Sequence, residues 1–570
     1  MKAMTATPPL SSLKPHYPVL IIGAGINGCG LFRDLCLQGI GCLLIDRGDI
    51  CEGASAAPSR LIHGGIKYLE TGEFRLVRES AMERNRLLRN APHFVKPLET
   101  VLPVQSWFGG IVPLALRFLG INARLKDRGA LITEVGLRIY DFYNRKVRAL
   151  PDHSFYGPRK LRSEYPGFAP GIKAAGLYFE GRITHAERLG MELVMDGLAA
   201  NPASALRTYT TAASHETPGQ LTLKDGLTSE TASVTCNVIV NAGGAWIDKV
   251  NAGLGIASQY MGGSKGSHLI VDNPELLAAL KGRMIYFGTT DGRVNLVYPF
   301  FGNVLIGATD IPVDDPDEAF CSAAEMEYML KVVAEVFPAI RLSRGQIRLS
   351  YCGVRPLPRS KGVDIGAVSR DHAFARDSLP GTGVPVLSLI GGKWTTFRAF
   401  AEQATDLILS LLKKSRSRST EDLAIGGGRD YPKDDASARN TIGAIAAVLH
   451  QDVNRAGELF VRYGTSALAV AQTIAATADR PLRALQGYSS GEIVHICRHE
   501  AVRCLADILL RRTSIAMEGR LNAAAVGEVA DIAASALGWD AQHLAREITH
   551  ACAEMERRAV PTIPAAKAAA

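Results

Sequence analysis

Val19-Leu20-Ile21-Ile22-Gly23-Ala24-Gly25-Ile26-Asn27-Gly28-Cys29-Gly30 runs an apolar segment straight into a glycine-rich turn. A second apolar run, Cys42-Leu43-Leu44-Ile45, closes on an acid, Asp46. The order predicts strand, tight turn, helix, strand. Gly23 permits the turn, Gly25 lets the backbone approach a pyrophosphate at the helix N-terminus, and Gly28 lets the helix pack close to its strand. Asp46 is placed to accept from a ribose hydroxyl. A bare GxGxxG says little. One that follows an apolar run, opens a helical pattern and precedes an acid by about 20 residues predicts a dinucleotide site.

Outward from this unit, 570 residues exceed what one core organises, so two or three domains are expected. Hydrophobic residues at 47% and charged residues at 21% describe an ordinary globular chain. The net charge of +8 permits attraction to phosphorylated metabolites or an anionic bilayer, but no concentrated basic tract suits nucleic acid. Ten cysteines without a CxxC pair argue for reduced thiols in a cytosolic setting. Cys29 with Cys36, and Cys497 with Cys504, stand seven apart, as buried helix residues often do. His495 and His499 have the spacing of helical metal ligands, but no third ligand accompanies them, and no metal is expected. Met1 to Pro18 reads as a disordered lead-in without a signal peptide, and no apolar run reaches the length of a membrane span.

Apolar spacing predicts an amphipathic helix over Phe74 to Asn90 and another within Tyr178 to Ala200. Val234 to Val240 reads as a strand ending at Asn241-Ala242-Gly243-Gly244. Met284 to Asp310 is β-rich, with Leu296-Val297-Tyr298-Pro299 and Val304-Leu305-Ile306-Gly307 flanking a Phe301-Gly302-Asn303 hairpin turn. Glu325 to Phe337 is helical, and Val386 to Ile390 is a buried strand stopping at Gly391-Gly392. Lys413-Lys414-Ser415-Arg416-Ser417-Arg418 reads as a solvated linker, and Gly426-Gly427-Gly428 marks a boundary. Beyond them the chain turns Ala-rich and helical, with Ala501 to Arg512 its clearest helix. The Ala-rich end, Ala565 to Ala570, is expected to fray.

Strand-ending glycines recur at Gly23 to Gly28, Gly243-Gly244 and Gly391-Gly392, which one large cofactor touching several strand ends explains economically. Three further constellations set a cation beside glycine. They are Arg60-Leu61-Ile62-His63-Gly64-Gly65-Ile66-Lys67-Tyr68-Leu69-Glu70, Tyr351-Cys352-Gly353-Val354-Arg355-Pro356-Leu357, and Gly391-Gly392-Lys393-Trp394-Thr395-Thr396-Phe397-Arg398. Taken singly, each cation fits a surface ion pair. Together they favour a pocket for a phosphate.

The combination GAGINGCG, LIHGGIKYLETGEFRLVRES, NAGGAW, KGSHLIV, IGATD, SYCGVRPL and GGKWTTFRAFAEQA closely resembles the aerobic, FAD-dependent glycerol-3-phosphate dehydrogenases. The likeness runs from about Val19 to Leu412 and continues more weakly through RYGTSAL and HEAVRCLADILLRRTS. It implies a mixed α/β fold, in which a Rossmann-type FAD domain (about 17–95, 180–250 and 350–412) is interleaved with an antiparallel-sheet substrate domain (about 96–179 and 251–349). A linker at 413–431 and a helical C-terminal domain at 432–560 would follow. FAD would lie along Gly23, Gly25, Gly28 and Asp46 and be bound also at Gly243, with Ser55 to Ser59 and the segment Gly391, Gly392, Lys393, Trp394 and Thr395 approaching the isoalloxazine. By matching position, His63, Lys67, Tyr68, Arg355 and Lys393 would face the substrate, with Thr309-Asp310 and Arg370 nearby.

The resemblance implies hydride transfer from C2 of sn-glycerol 3-phosphate to flavin N5, giving dihydroxyacetone phosphate, with electrons passed to a membrane quinone. Lys67 and Arg355 would hold the phosphate, Lys393 would bias the flavin or contact the hydroxyl, and His63 is the candidate base, because an imidazole titrates near working pH. Lys67 stands where most members have Arg, exchanging a bidentate fork for a point charge. Ala54-Ser55-Ala56-Ala57-Pro58-Ser59 is poorer in hydroxyls than the usual Ser-rich run. Two alternatives follow: a flavin dehydrogenase or oxidase of another polyol phosphate, and a flavin-binding sensor without turnover. The expected setting is cytoplasmic, with a homodimer and a peripheral contact at the inner face of the cytoplasmic membrane as further expectations. That contact rests on Ser106 to Gly120, apolar and aromatic, followed by Arg124, Lys126 and Arg128.

Overall fold

The first strand, β1 (His16–Ile22), carries apolar side chains on both faces. Val19 and Ile21 enter one core with the helix α1 (Ile26–Leu37), while Tyr17, Leu20 and Ile22 enter a second core on the opposite face. A strand covered on both sides reads as a continuous apolar run, which is why this stretch is legible. The computed structural model describes residues 8–66, 73–110, 129–144, 149–359 and 371–558. Lys67, Tyr68, Arg370 and residues 111–128 lie outside them.

The sheet built on β1 runs, in spatial order, Ala373–Ser378, Pro385–Ile390, Thr231–Asn241, β1, β2 (Cys42–Ile45) and Ala205–Arg207, with a branch of two antiparallel strands paired to Thr231–Asn241. β1 pairs in parallel with both Thr231–Asn241 and β2, and Thr231–Asn241 pairs in parallel with Pro385–Ile390. In register, Ile22 lies opposite Asn241 and Asn241 opposite Ser388. The turns at Gly23, Gly243 and Gly391 therefore leave the same edge of the sheet, within a few residues of one line. An open parallel sheet places its ligand crevice at that carboxyl edge.

Among the described residues the second sheet has ten strands and is mostly antiparallel, with one parallel pair between Met284–Gly288 and Val95–Val104. Val294–Phe300 and Asn303–Gly307 form the expected hairpin. Side chains alternate with the pleat: Leu296, Tyr298 and Phe300 face one core, Val297 the other. One face is covered by the C-terminal helices through Ile493, Leu505, Ile508 and Val529, the other by Leu161, Met329 and Val333. The fold is mixed α/β with two sheets and a helical C-terminal part.

The helix Phe74–Asn90 occupies the residues its periodicity predicts. Three expectations change. The described part of the expected disordered lead-in, from residue 8, is structured: Leu10 is buried in a short helical turn and β1 already begins at His16. Ala501 to Arg512 is not one helix: Ala501 has a left-handed backbone (φ 52°), helical turns begin only at Leu505, and a π-turn occupies Ile508–Arg512. Asp507 accepts from the Arg503 and Cys504 amides, stopping the helix from extending backward, so Cys504 caps the turn while Cys497 lies in the preceding helix. The basic tract at 413–418 is not simply solvated, because Arg416 folds back to pair with Asp34 of α1 at 2.9 Å and Asp406 at 2.7 Å.

Ion pairs fasten the C-terminal helices to the first sheet. Arg511 and Arg512 converge on Asp49 at 2.6 and 2.7 Å, and Arg188 pairs with Glu500 at 2.8 Å, all buried. Burial alone would raise the Asp49 carboxyl, but Arg512 and Arg511 overcome it and hold it down to about 2. No helix among the described residues is long and apolar enough to cross a membrane.

Candidate active site

The carboxyl edge of the first sheet and the edge of the second enclose a cleft of about 2800 Å³. An ordinary small-molecule pocket measures roughly 300–1,000 Å³, so this one accommodates a dinucleotide and a small substrate together.

At its nucleotide end Gly23 takes φ +113°, where a Cβ would lie 2.5 Å from the Ala242 carbonyl oxygen. Gly28 faces the Gly23 carbonyl so closely that no side chain fits between helix and turn. Gly25 is the N-cap of α1, and a Cβ there would meet only Ser55 Oγ, at 3.3 Å. Gly23 and Gly28 thus serve the turn, and Gly25 borders the cleft. Asp46 accepts from the Ala24 amide at 2.6 Å and the Gly48 amide at 2.8 Å, bracing the turn as well as lining the cleft. Burial pushes its carboxyl up to about 6 against the pull of those two bonds.

Farther along, Ser55 Oγ accepts from the Ile26 amide at 2.9 Å, and the Ser55 carbonyl accepts from Trp394 Nε1 at 3.1 Å. Ser55 therefore ties the helix N-terminus to the Gly391–Thr395 turn. Gly243, Gly391, Gly392, Lys393, Trp394 and Thr395 all line the cleft. Among the polar atoms of cleft-lining residues that are buried without a hydrogen-bond partner are Asn27 Oδ1 and Thr395 Oγ1. Buried polar atoms of this kind are ordinarily satisfied, so they mark where a polar ligand belongs.

The substrate end is built on Ser264–Val271, where Ser264, Gly266 and His268 share the face turned to the cleft. Arg355, opposite Ser264 in register, lays its guanidinium over Gly266, where any side chain would collide with it. Arg355 Nη1 pairs with Asp310 at 2.9 Å, and Nη2 donates to the Thr309 carbonyl at 3.0 Å. Glu325 steadies this corner from behind, accepting from Lys265 Nζ, Ser267 Oγ and Thr309 Oγ1 at 2.7–2.8 Å. Burial favours its neutral form, but those donors hold its carboxyl down to about 2. His63, which follows the strand Leu61–Ile62 at the far end of the same sheet, is half-buried and also lines the cleft.

His268 is the residue that the sequence reading did not single out. Its ring stacks on Tyr351 at 5.0 Å, and Nε2 lies 2.8 Å from Ser59 Oγ. Burial, then the neighbouring Arg355 and Arg60 charges, press its pKa down to about 3, so the imidazole is neutral at neutral pH. The signal was present in KGSHLIV: a polar residue in an apolar strand, two positions from a glycine on the same face. Of the expected substrate contacts, His63, Arg355, Lys393 and Asp310 line this cleft, while Lys67, Tyr68 and Arg370 lie outside the described residues.

A glycine turn, a helix N-terminus and an acid at the edge of a parallel sheet, facing a second sheet that carries cations and imidazoles, define a dinucleotide-dependent oxidoreductase. Residues 18–398 match the family model described as FAD dependent oxidoreductase, and residues 418–544 match the C-terminal domain of alpha-glycerophosphate oxidase. The chain belongs to the FAD-dependent oxidoreductase family. It is 30% identical to a glycerol-3-phosphate dehydrogenase of Synechocystis sp., over 96% of this chain and 97% of that one. It is 29% identical to a D-erythritol 1-phosphate dehydrogenase of Brucella abortus, over 87% and 93%. The crystal structure of the glycerol-3-phosphate dehydrogenase from Bacillus halodurans complexed with FAD superposes with a TM-score of 0.72 at 20% identity, covering 97% of both chains, and shows the same fold.

The residues present fit FAD. The α1 N-terminus with Gly25 suits a pyrophosphate, Asp46 a ribose, and the unsatisfied Asn27 Oδ1 and Thr395 Oγ1 a polar ring edge.

Proposed function

We propose that this protein is an FAD-dependent dehydrogenase that oxidises sn-glycerol 3-phosphate to dihydroxyacetone phosphate. The observation that carries the reading is the pairing of Arg355 over Gly266 with His268 two residues along the same strand face. Positions i and i+2 of a strand are about 7 Å apart, which suits a short polyol bearing a phosphate at one end and a reacting hydroxyl near the other. FAD, bound along the glycine turn, supplies the hydride acceptor. Arg355 holds the phosphate while Asp310 and the Thr309 carbonyl fix the guanidinium plane. His63 takes the hydroxyl proton, and His268, neutral and hydrogen-bonded to Ser59, forms the polar wall against which the substrate is oriented. Lys67 adds a second cation at the phosphate, and Tyr68, Arg370 and Lys393 complete the substrate contacts.

Arg355→Ala is expected to lower kcat/KM for the phosphorylated substrate roughly 30-fold, about 2 kcal/mol, the low end for truncating a hydrogen-bonded charge because Arg355 is partly solvated. Retained FAD absorbance in the variant would separate this from unfolding. Unchanged kcat/KM would mean that Arg355 serves only Asp310. The resemblance to a D-erythritol 1-phosphate dehydrogenase keeps a longer polyol phosphate as the second reading of this site. Rates with glycerol 3-phosphate, D-erythritol 1-phosphate and glycerol, using an artificial acceptor and then oxygen alone, decide between these substrates and between dehydrogenase and oxidase. The reading requires glycerol 3-phosphate to be preferred and oxygen to be a poor acceptor.

The acceptor in this reading is a membrane quinone, reached from a peripheral position at the inner face of the cytoplasmic membrane. Trp107 and Phe108, 42% and 74% exposed, stand at the start of the apolar-then-basic segment and suit the interfacial layer. Trp107→Ser combined with Phe108→Ser is expected to reduce both liposome cosedimentation and quinone reduction, with the artificial-acceptor rate unchanged. Undiminished values for both would remove this segment from the docking surface.

A further inference from the structure

Directly beneath the His63-Gly64-Gly65 turn lies a buried charge cluster drawn from three separate elements. Glu180, on the strand Ala174–Ile183, accepts from the Gly64 amide through Oε2 at 2.8 Å. The same oxygen accepts from Arg84 Nη1 at 3.2 Å and from the Tyr140 hydroxyl at 3.1 Å. Arg84 comes from the helix Phe74–Asn90 and Tyr140 from Ala130–Asn144, and the two also bond to each other. Arg84 further donates to the Phe179 carbonyl at 3.2 Å. Glu180, Arg84 and Tyr140 are 2%, 0% and 1% exposed. The Tyr140 hydroxyl rests so close to Gly64 that a side chain at that position would strike it.

A buried carboxylate and guanidinium are a poor way to obtain stability. Desolvation offsets their attraction, and well-packed apolar side chains usually do as well or better. What this cluster does provide is a fixed acceptor aimed at one backbone amide, the one between His63 and the left-handed Gly65 (φ +80°). Pairing of Leu61–Ile62 with Gly181–Arg182 already sets the strand before the turn, so the bond from Glu180 sets the turn itself. Rotation of the Gly64 peptide would swing His63, whose side chain lines the cleft. An error on the order of 1 Å in a reacting group can cost on the order of 100-fold in rate.

We infer that Glu180, held by Arg84 and Tyr140, is a positioning residue for the reaction: it acts through the Gly64 amide to keep His63 in line with the substrate hydroxyl. The inference rests on His63 being the proton acceptor of the proposed function. The test is a double-mutant cycle on the FAD-loaded full chain, with Glu180→Gln in the native and His63→Ala backgrounds. Glu180→Gln is expected to keep its FAD and lower kcat on the order of 100-fold with native His63, but by no more than about twofold when His63 is already gone. An equal factor in both backgrounds, beside a large effect of His63→Ala alone, overturns the positioning role and leaves the His63 assignment standing. Full kcat in His63→Ala overturns the His63 assignment, and the positioning role with it. Tyr140→Phe, which removes one hydroxyl from the cluster and no charge, repeats the cycle in case Glu180→Gln does not fold. A smaller loss with the same dependence on His63 is then expected, and a loss independent of His63 overturns the inference.

Discussion

Gly25→Val is expected to yield a folded protein that purifies without FAD. The backbone at Gly25 is extended and α1 begins immediately after it, so valine meets no conformational barrier there. A Cβ would find Ser55 Oγ at 3.3 Å, a contact that a small shift of one hydroxyl relieves. The remaining methyl groups would fill the space where a pyrophosphate meets the α1 N-terminus, separating it from the first turn of the helix. The control is Gly28→Val, which drives a side chain into the Gly23 carbonyl and should unfold the nucleotide unit altogether. Absorbance at the flavin band together with circular dichroism distinguishes the two. Full FAD retention by a folded Gly25→Val protein would remove the pyrophosphate from this turn.

A large stability loss is expected from Asp49→Ala. Asp49 is fully buried and receives Arg511 Nε at 2.6 Å and Arg512 through both terminal nitrogens at 2.7 and 2.8 Å. Removing the carboxylate strands the buried Arg512 guanidinium and leaves Arg511 only Asp507, at 2.7 Å, and breaking a buried pair in this way costs about 3–5 kcal/mol. Because the Asp49 carboxyl is held below its ordinary value, the stabilisation is complete above the unfolded-state value of about 4 and is lost as the pH falls toward the folded value. Asp49 stands three residues after Asp46, and Arg511 lines the cleft, so the same change should weaken FAD binding. Thermal unfolding with and without added FAD measures both effects. A melting temperature within a degree of the parent would mean that the C-terminal helices are held by their apolar contacts alone.

How much of this was legible in the sequence depends on how local the cause is. The turn at Gly23–Gly28 could be read because glycine spacing, an apolar strand and an acid all lie within thirty residues. Phe74–Asn90 could be read because its apolar positions repeat with the helical period. The hairpin of Val294–Phe300 and Asn303–Gly307 followed from a turn expected at Phe301-Gly302-Asn303 between apolar runs, although Asn303 pairs with Phe300 and the turn itself is Phe301-Gly302. The meeting of three glycine turns at one edge was inferred from their recurrence, and parallel pairing supplies its cause.

What could not be read is set by partners far away along the chain. The helix expected across Ala501 begins at Leu505, in a segment whose arginines are drawn to Asp49, more than 450 residues earlier. Arg416 leaves its basic tract for Asp34. His268 looks like an interior residue of an apolar strand until Arg355 is seen lying over Gly266 beside it. Glu180, Arg84 and Tyr140 come from segments that no periodicity connects, and the Gly64 amide, which donates to Glu180, carries no side-chain signal at all.

The central claim is that one cleft binds FAD and a phosphorylated polyol so that the second reduces the first. The most direct measurement is the visible spectrum of the purified protein under anaerobic conditions, titrated with glycerol 3-phosphate and separately with glycerol. The account predicts that the flavin band bleaches with glycerol 3-phosphate and persists with glycerol, because Arg355 engages the phosphate. A protein with no flavin band, or one bleached equally by both compounds, would contradict it.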